Sequence, residues 1–287
     1  MKCYDSLTDI TIKSPTALTI GKFEGMHKGH HLLISKIISK SGLSSCVITF
    51  KTPPRFLLSK DTTPSLFTNE EKEFMFKKYG INFLISCNFD KKFMEIEATK
   101  FIDILCKNLN MKYLVVGSGF TFGYKKEGNV KLLQELSAYY GFELDILEKM
   151  KNGEINISST YIRKQIIQGN ISLMNEMLGY EYFIICKMNK IESNNNIGQI
   201  MEITPSKDKL IPKMGNYIIN IECNYTNFIS ICEINHENIL KVYIFDCNSK
   251  ELFKEDIKIN FVQILGDDKI KFNSIDEIKR TINKILM

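Results

Sequence analysis

The chain of 287 residues reads as an α/β protein in two parts, a parallel sheet covered on both faces by helices and then a small antiparallel β-barrel. Three observations predict this. Through residue 150, short apolar runs of strand type alternate with amphipathic helical runs, the texture of a parallel sheet with crossover helices. After Tyr180, six strand-like runs follow one another with no long helix between them, the texture of a small barrel. Between the first strand and the first helix stands a glycine-rich turn, Gly21-Lys22-Phe23-Glu24-Gly25-Met26-His27-Lys28-Gly29-His30. Ligands of parallel sheets bind at such strand ends.

Taken in order, the predicted strands of the first part are 17–20, 46–50, 83–86, 113–116 and 143–147, each short and apolar. Helical spacing predicts 30–39, 69–79, 99–108 and 130–140 between them. The second part is predicted to hold strands 182–187, 198–203, 217–223, 228–234, 240–245 and 257–265. A closing helix over 274–286 has Ser274 as N-cap and Glu277 three residues on, a capping box. The polar run 192–196 reads as a solvated loop. The domain boundary is placed between residues 183 and 184.

A content of 44% hydrophobic and 25% charged residues describes a globular protein, and no apolar run approaches the ~20 residues of a membrane span. The N-terminus has no signal-peptide core, so a cytoplasmic location is expected. Eight cysteines are scattered without a CxxC pair, which argues for reduced core thiols against a zinc site or disulfide framework. From Lys187 onward 14 basic and 14 acidic side chains cancel, so residues 1–186 carry the whole net charge of +5. That charge is too mild for nucleic acid, but it draws small anions to the part with the glycine turn.

The turn has the makings of a phosphate site. Unpaired backbone N–H groups and the positive end of a helix dipole converge there, and glycine lets backbone approach an anion closely. His27 and His30, three residues apart at a helix start, point the same way. Three of the four histidines (27, 30 and 31) fall within five residues. A second clamp follows at Ser158-Ser159-Thr160-Tyr161-Ile162-Arg163, where hydroxyl N-cap types open a helix and an arginine lies one turn in. Two phosphate clamps on one parallel sheet argue for a nucleoside triphosphate.

These runs together resemble bacterial FAD synthetases, the bifunctional riboflavin kinase/FMN adenylyltransferases. The stretch from Thr19 to His30 resembles the family's signature, and Ile157-Ser158-Ser159-Thr160-Tyr161-Ile162-Arg163 its S-S-T-x-I-R motif. The run from Val47 to Arg55 is similar to the F-x-P-x-P-R segment, and that from Val115 to Gly123 to the G-x-[DN]-F-x-F-G loop. The resemblance implies a Rossmann-like HxGH nucleotidyltransferase domain (1–183) and a riboflavin-kinase-like barrel (184–287). The reaction it implies has the FMN phosphate attack the α-phosphorus of ATP, giving FAD and pyrophosphate. By resemblance, His27, His30 and Arg163 are catalytic, and Gly21, Phe23, Glu24, Gly29, Ser159 and Thr160 bind ATP with Arg163. Pro53, Phe56, Phe120 and Phe122 are candidate FMN residues. Mg²⁺ is expected on the ATP phosphates with no metal site of the protein's own. ATP, FMN and FAD are the implied partners, with no nucleic acid and no membrane.

The chain departs from the family pattern in places. Glu24 stands where Asp is usual, Gly119 replaces Asp or Asn, and Lys51-Thr52 replaces an acidic-proline start. In the barrel, Ile211–Tyr217, Val242–Asp246 and Asp268–Ile275 match kinase segments, yet the chemistry is missing. The G-x-P-T-x-N segment falls at Gly198-Gln199-Ile200-Met201-Glu202-Ile203, the catalytic Glu position is Lys241, and Gly266 replaces an Arg. Riboflavin kinase activity is therefore expected to be absent. Two other readings use the same residues: a non-catalytic flavin- or nucleotide-binding regulator, and a nucleotidyltransferase for a different phosphorylated acceptor.

Overall fold

A computed structural model describes residues 1–58, 61–194, 198–223, 226–244, 256–266 and 274–286. Two compact units result, residues 1–63 with 69–157 and residues 64–68 with 158–287.

In the first unit the chain runs β1 (Lys2–Tyr4), β2 (Thr16–Ile20), α1 (Lys28–Ile38), β3 (Ser44–Phe50), α2 (Pro54–Leu58), α3 (Asn69–Lys78) and β4 (Phe83–Cys87). It continues with α4 (Lys91–Met94), α5 (Ala98–Asn108), β5 (Met111–Gly117), α6 (Val130–Tyr140), β6 (Glu143–Leu147) and the small pair β7 (Lys151–Asn152) and β8 (Ile155–Asn156). Six strands form a parallel sheet in the order β1-β4-β3-β2-β5-β6. The chain leaves β2 toward β3 on one side and returns to β5 on the other, so the switch point of the sheet lies after β2. The glycine turn sits there. Strand β2 is buried along its whole length and joins a core of Leu18, Ile48, Ile85, Leu114 and Val116. The predicted sheet strands and long helices are present to within two residues at each end, while β1, α2 and α4 are additions too short to show a period.

The second unit holds α7 (Ser159–Gln168) and α8 (Ile171–Leu178), which the sequence groups with the first domain. There follow β9 (Tyr182–Cys186), β10 (Lys190–Asn194), β11 (Gly198–Ile203), β12 (Gly215–Cys223), β13 (Thr226–Ile234), β14 (Leu240–Ile244), β15 (Ile257–Gly266) and α9 (Ile275–Leu286). The seven strands make one antiparallel sheet, β10-β11-β14-β13-β12-β15-β9. Register shifts between β12 and β15 add the local twist that curls it as a half-barrel. Part of the expected 192–196 loop is instead strand: β10 pairs with β11 from Lys190↔Glu202 to Asn194↔Gly198. As an edge strand it needs only backbone pairing on one side, which polar residues allow. Helix α9 starts as expected, with the Ser274 hydroxyl accepting from the Glu277 N–H at 3.3 Å. The matches at Phe245–Asp246 and 268–273 lie outside the described residues. No helix among the described residues is long and apolar enough to cross a membrane.

Segment 64–68 is strapped into this second unit. Ser65 exchanges backbone hydrogen bonds with Asp208 and Leu210, and the buried Lys209 ammonium donates to the carbonyls of Leu66 (2.8 Å) and Phe183 (2.7 Å). Its cation also lies 4.3 Å from the Tyr182 ring centroid. Nothing in sequence spacing announces this anchor.

Candidate active site

The glycine turn is held in a strained shape by buried side chains. Phe23 and Met26 have φ of +47° and +34°, a region disfavoured for side-chain-bearing residues, yet both are fully buried. Each such conformation costs about 1–3 kcal/mol, and burying a Phe or Met side chain stabilises by about 1.5–3 kcal/mol. The two effects are of one size, so burial can hold the turn. Phe23 meets Phe76 edge-on at 5.4 Å and the His30 ring at 5.0 Å.

His27 is the N-cap of α1 and His30 lies in its first turn. Their rings stack, with centroids 3.8 Å apart and planes at 16°. The Nδ1 atoms of both are buried without a hydrogen-bond partner among the described residues. Burial, reinforced by the nearby His31 ring, pushes the His27 pKa down to about 4. Burial, then His27 and His31, also lowers His30 well below the usual imidazole range. Both rings are therefore neutral near pH 7, and an arriving phosphate would raise their pKa values by favouring the charged form. Gly29 leaves room for this arrangement, since a Cβ there would lie 3.3 Å from Cε1 and Nδ1 of His27. His31 turns away and shares a 2.7 Å hydrogen bond between Nε2 and the Tyr79 hydroxyl.

Beside the turn lies a cavity of about 670 Å³. Gly21 and Lys22 line it, together with Phe50, Phe89, Phe93, Phe101, Phe120 and Phe122. The rings brace one another: Phe120 stacks on Phe122 at 5.5 Å, and Phe50 meets Phe93 edge-on at 5.3 Å. Gly128 is needed behind Phe122, because a Cβ would come within 2.8 Å of that ring. Lys22, Lys91, Lys125 and Lys126 also line it, against Glu95, so the charge around the apolar space is net positive. Such a cavity suits a flat aromatic ligand that carries an anionic group.

Of the candidate flavin residues, Phe120 and Phe122 line this cavity. Pro53 and Phe56 do not, though their neighbours Pro54 and Leu58 do. Helix α2 turns Phe56 beneath its own Arg55, whose guanidinium carbon is 4.8 Å from the ring centroid. Gly21, Phe23, Glu24, Gly29, His27 and His30 lie together in the first unit. The Glu24 carboxylate is engaged by Arg55, whose Nη1 donates to both oxygens at 3.0 and 3.1 Å. Ser159, Thr160 and Arg163 open α7 in the second unit, where the Ser158 hydroxyl caps the helix through the Tyr161 N–H. Phe50, Phe89 and Phe93 were not singled out from the sequence. The available signal was position, since Phe50 ends β3 and the other two follow the carboxyl end of β4.

A family model described as FAD synthetase matches residues 9–161, more than half of the chain. The chain belongs to the FAD synthetase family. A second family model, riboflavin kinase, matches residues 199–285. A relative from Buchnera aphidicola subsp. Schizaphis graminum, named bifunctional riboflavin kinase/FMN adenylyltransferase, is 30% identical over 95% of this chain and 92% of its own. The Escherichia coli K12 protein of the same name is 28% identical, over 92% and 88% of the two chains. A solved Streptococcus pneumoniae structure titled macrolide-efflux protein shares the fold, with a TM-score of 0.81 and 22% identity across 98% of this chain and 95% of that one. The protein is thus an enzyme, a nucleotidyltransferase of the FMN adenylyltransferase type.

Proposed function

We propose that this enzyme transfers AMP from magnesium-bound ATP to FMN, giving FAD and pyrophosphate, and that it does not phosphorylate riboflavin. The observation that carries the first half is the stacked, neutral His27–His30 pair on the glycine turn whose Gly21 and Lys22 line a phenylalanine-rich cavity. The flavin ring occupies that cavity, with Phe120 and Phe122 against it. An oxygen of the FMN phosphate bonds to the α-phosphorus as the bond to the β-phosphate oxygen breaks, and pyrophosphate leaves. The attacking phosphate is already ionised, so no strong base is required. What the reaction needs is positioning and neutralisation of charge at phosphorus.

His27 and His30 supply that neutralisation as N–H donors. Gly21, Phe23 and Gly29 shape the backbone around the nucleotide. By the family motif, Ser159, Thr160 and Arg163 hold the β- and γ-phosphates. Mg²⁺ is placed on the ATP phosphates, since this ion dehydrates reluctantly and is usually held through substrate phosphates. Adenylyl transfer is assigned to 1–183, supported by a family match that runs into α7, and the kinase-like barrel to 184–287.

The second half rests on β11 and β14. Met201 and Ile203 stand where Thr and Asn would hold the metal and phosphates, and both are fully buried. Apolar side chains cannot ligate Mg²⁺, which takes oxygen ligands. Lys241, at the position of the catalytic carboxylate, lies 4.0 Å from Glu202 and offers no carboxylate oxygen to accept the hydroxyl proton. Chromatography of products from FMN, riboflavin, phosphopantetheine and nicotinate mononucleotide, each with MgATP, tests both halves. FAD from FMN alone is expected. A nucleotidyl product from another acceptor would overturn the first half, and FMN or FAD from riboflavin the second.

A further inference from the structure

Three charged side chains from three elements act on one another at the glycine turn, and none of them lines the cavity or belongs to the histidine pair. Glu24 is in the turn itself, three residues before His27, and is 8% exposed. Arg55 is in α2, directly after Pro54 of the cavity wall, and grips Glu24 with a second ion pair to Asp61 at 3.2 Å. Lys72, from α3, is also 8% exposed and donates at 2.7 Å to the carbonyl of Phe50, another wall residue. The Glu24 charge acts on Lys72 as well, opposing the lowering that burial imposes on its pKa. A further bond, from the Thr49 hydroxyl to the Lys22 carbonyl at 3.2 Å, ties the end of β3 to the turn.

A buried ion pair adds little net stability over a well-packed apolar group, because desolvation offsets attraction. It does fix geometry, since removing one partner strands the other charge. Here the geometry fixed is that between cavity wall and phosphate turn. We propose that Glu24, Arg55 and Lys72 are positioning residues that hold the acceptor cavity in register with His27 and His30. This rests on the adenylyl-transfer reading. It also gives Glu24 a partner within the protein in place of the nucleotide, and a use for its extra methylene over Asp, which is reach toward Arg55.

The test uses the full chain and compares wild type with Glu24→Gln and Glu24→Asp. Kinetics give kcat and KM for FMN, calorimetry gives the MgATP affinity, and quenching of flavin fluorescence gives the FMN affinity. Glu24→Gln should lower kcat/KM for FMN by about 10²-fold, as expected for a misplacement near 1 Å, with MgATP affinity unchanged. Glu24→Asp, which keeps the charge but withdraws it, should fall between the two, and it stands in if the Gln variant does not fold. Equal loss of ATP and FMN affinity would make Glu24 a nucleotide contact and overturn the proposal. So would wild-type kinetics in variants that have lost only thermal stability. If wild type forms no FAD, the adenylyl-transfer reading fails by itself. The FMN affinities then decide the positioning role: weaker in Glu24→Gln supports it, unchanged overturns it.

Discussion

His27 and His30 are kept neutral by burial, and that has a consequence for stability. The native His27 pKa, about 4, lies below its ordinary 6.5, so between those values the unfolded chain binds more protons than the native one. Stability therefore rises with pH across this window, and the ligand-free protein should weaken as pH falls from 6.5 toward 4. Urea unfolding at several pH values checks this, and a His27→Gln/His30→Gln double variant should show a flatter dependence. Equal slopes would mean that the rings are not held neutral. Lys72 behaves alike at the other end, its pKa lowered to about 8 by burial against the opposing pull of Glu24. Glu24→Gln should lower it further, which NMR titration of the lysine resonance would detect. The histidine pair was legible in the sequence because residue type, spacing and a glycine turn coincide. Lys72 was not, for in Asn69-Glu70-Glu71-Lys72-Glu73 it looks like one more charge on a solvated helix face.

At the scale of elements, the glycine turn and α1 act as one unit. The close approach of Gly29 to the His27 ring predicts that Gly29→Ala displaces the imidazole by a few tenths of an ångström. The helix itself tolerates alanine, so stability should hold while kcat falls by roughly tenfold, less than the loss for a 1 Å misplacement. Steady-state kinetics beside a thermal melt separates the two, and unchanged kcat would show the ring free to adjust. Strands of the sheet were legible as continuous apolar runs, because both their faces are buried, and the long helices because a period of 3.6 runs for several turns. The four-residue α4 and five-residue α2 carry no measurable period. Strand β10 was hidden by its polar composition, which suits an edge but reads as a loop.

For the whole molecule, a change from alternating to consecutive strands was enough to see two architectures. It could not reveal that 64–68 belongs to the second compact unit, because that membership rests on partners far along the chain, as in the backbone bond from the Ser65 N–H to the Asp208 carbonyl and the bond from the Lys209 ammonium to the Leu66 carbonyl. The half-barrel, with Met201 and Ile203 fully buried, keeps the architecture that the riboflavin kinase family model matches, and its lack of kinase activity is the second half of the proposal above. The central claim, adenylyl transfer by the histidine pair, is tested most directly by mixing full-length protein with FMN and MgATP and quantifying FAD and pyrophosphate together. The account predicts equimolar products. It also predicts that His30→Ala lowers kcat by ~10²–10³-fold, as for loss of an oxyanion donor, with ATP affinity little changed. Tight binding of FMN and ATP with no FAD above a heat-inactivated control, or a His30→Ala variant as fast as wild type, would contradict it.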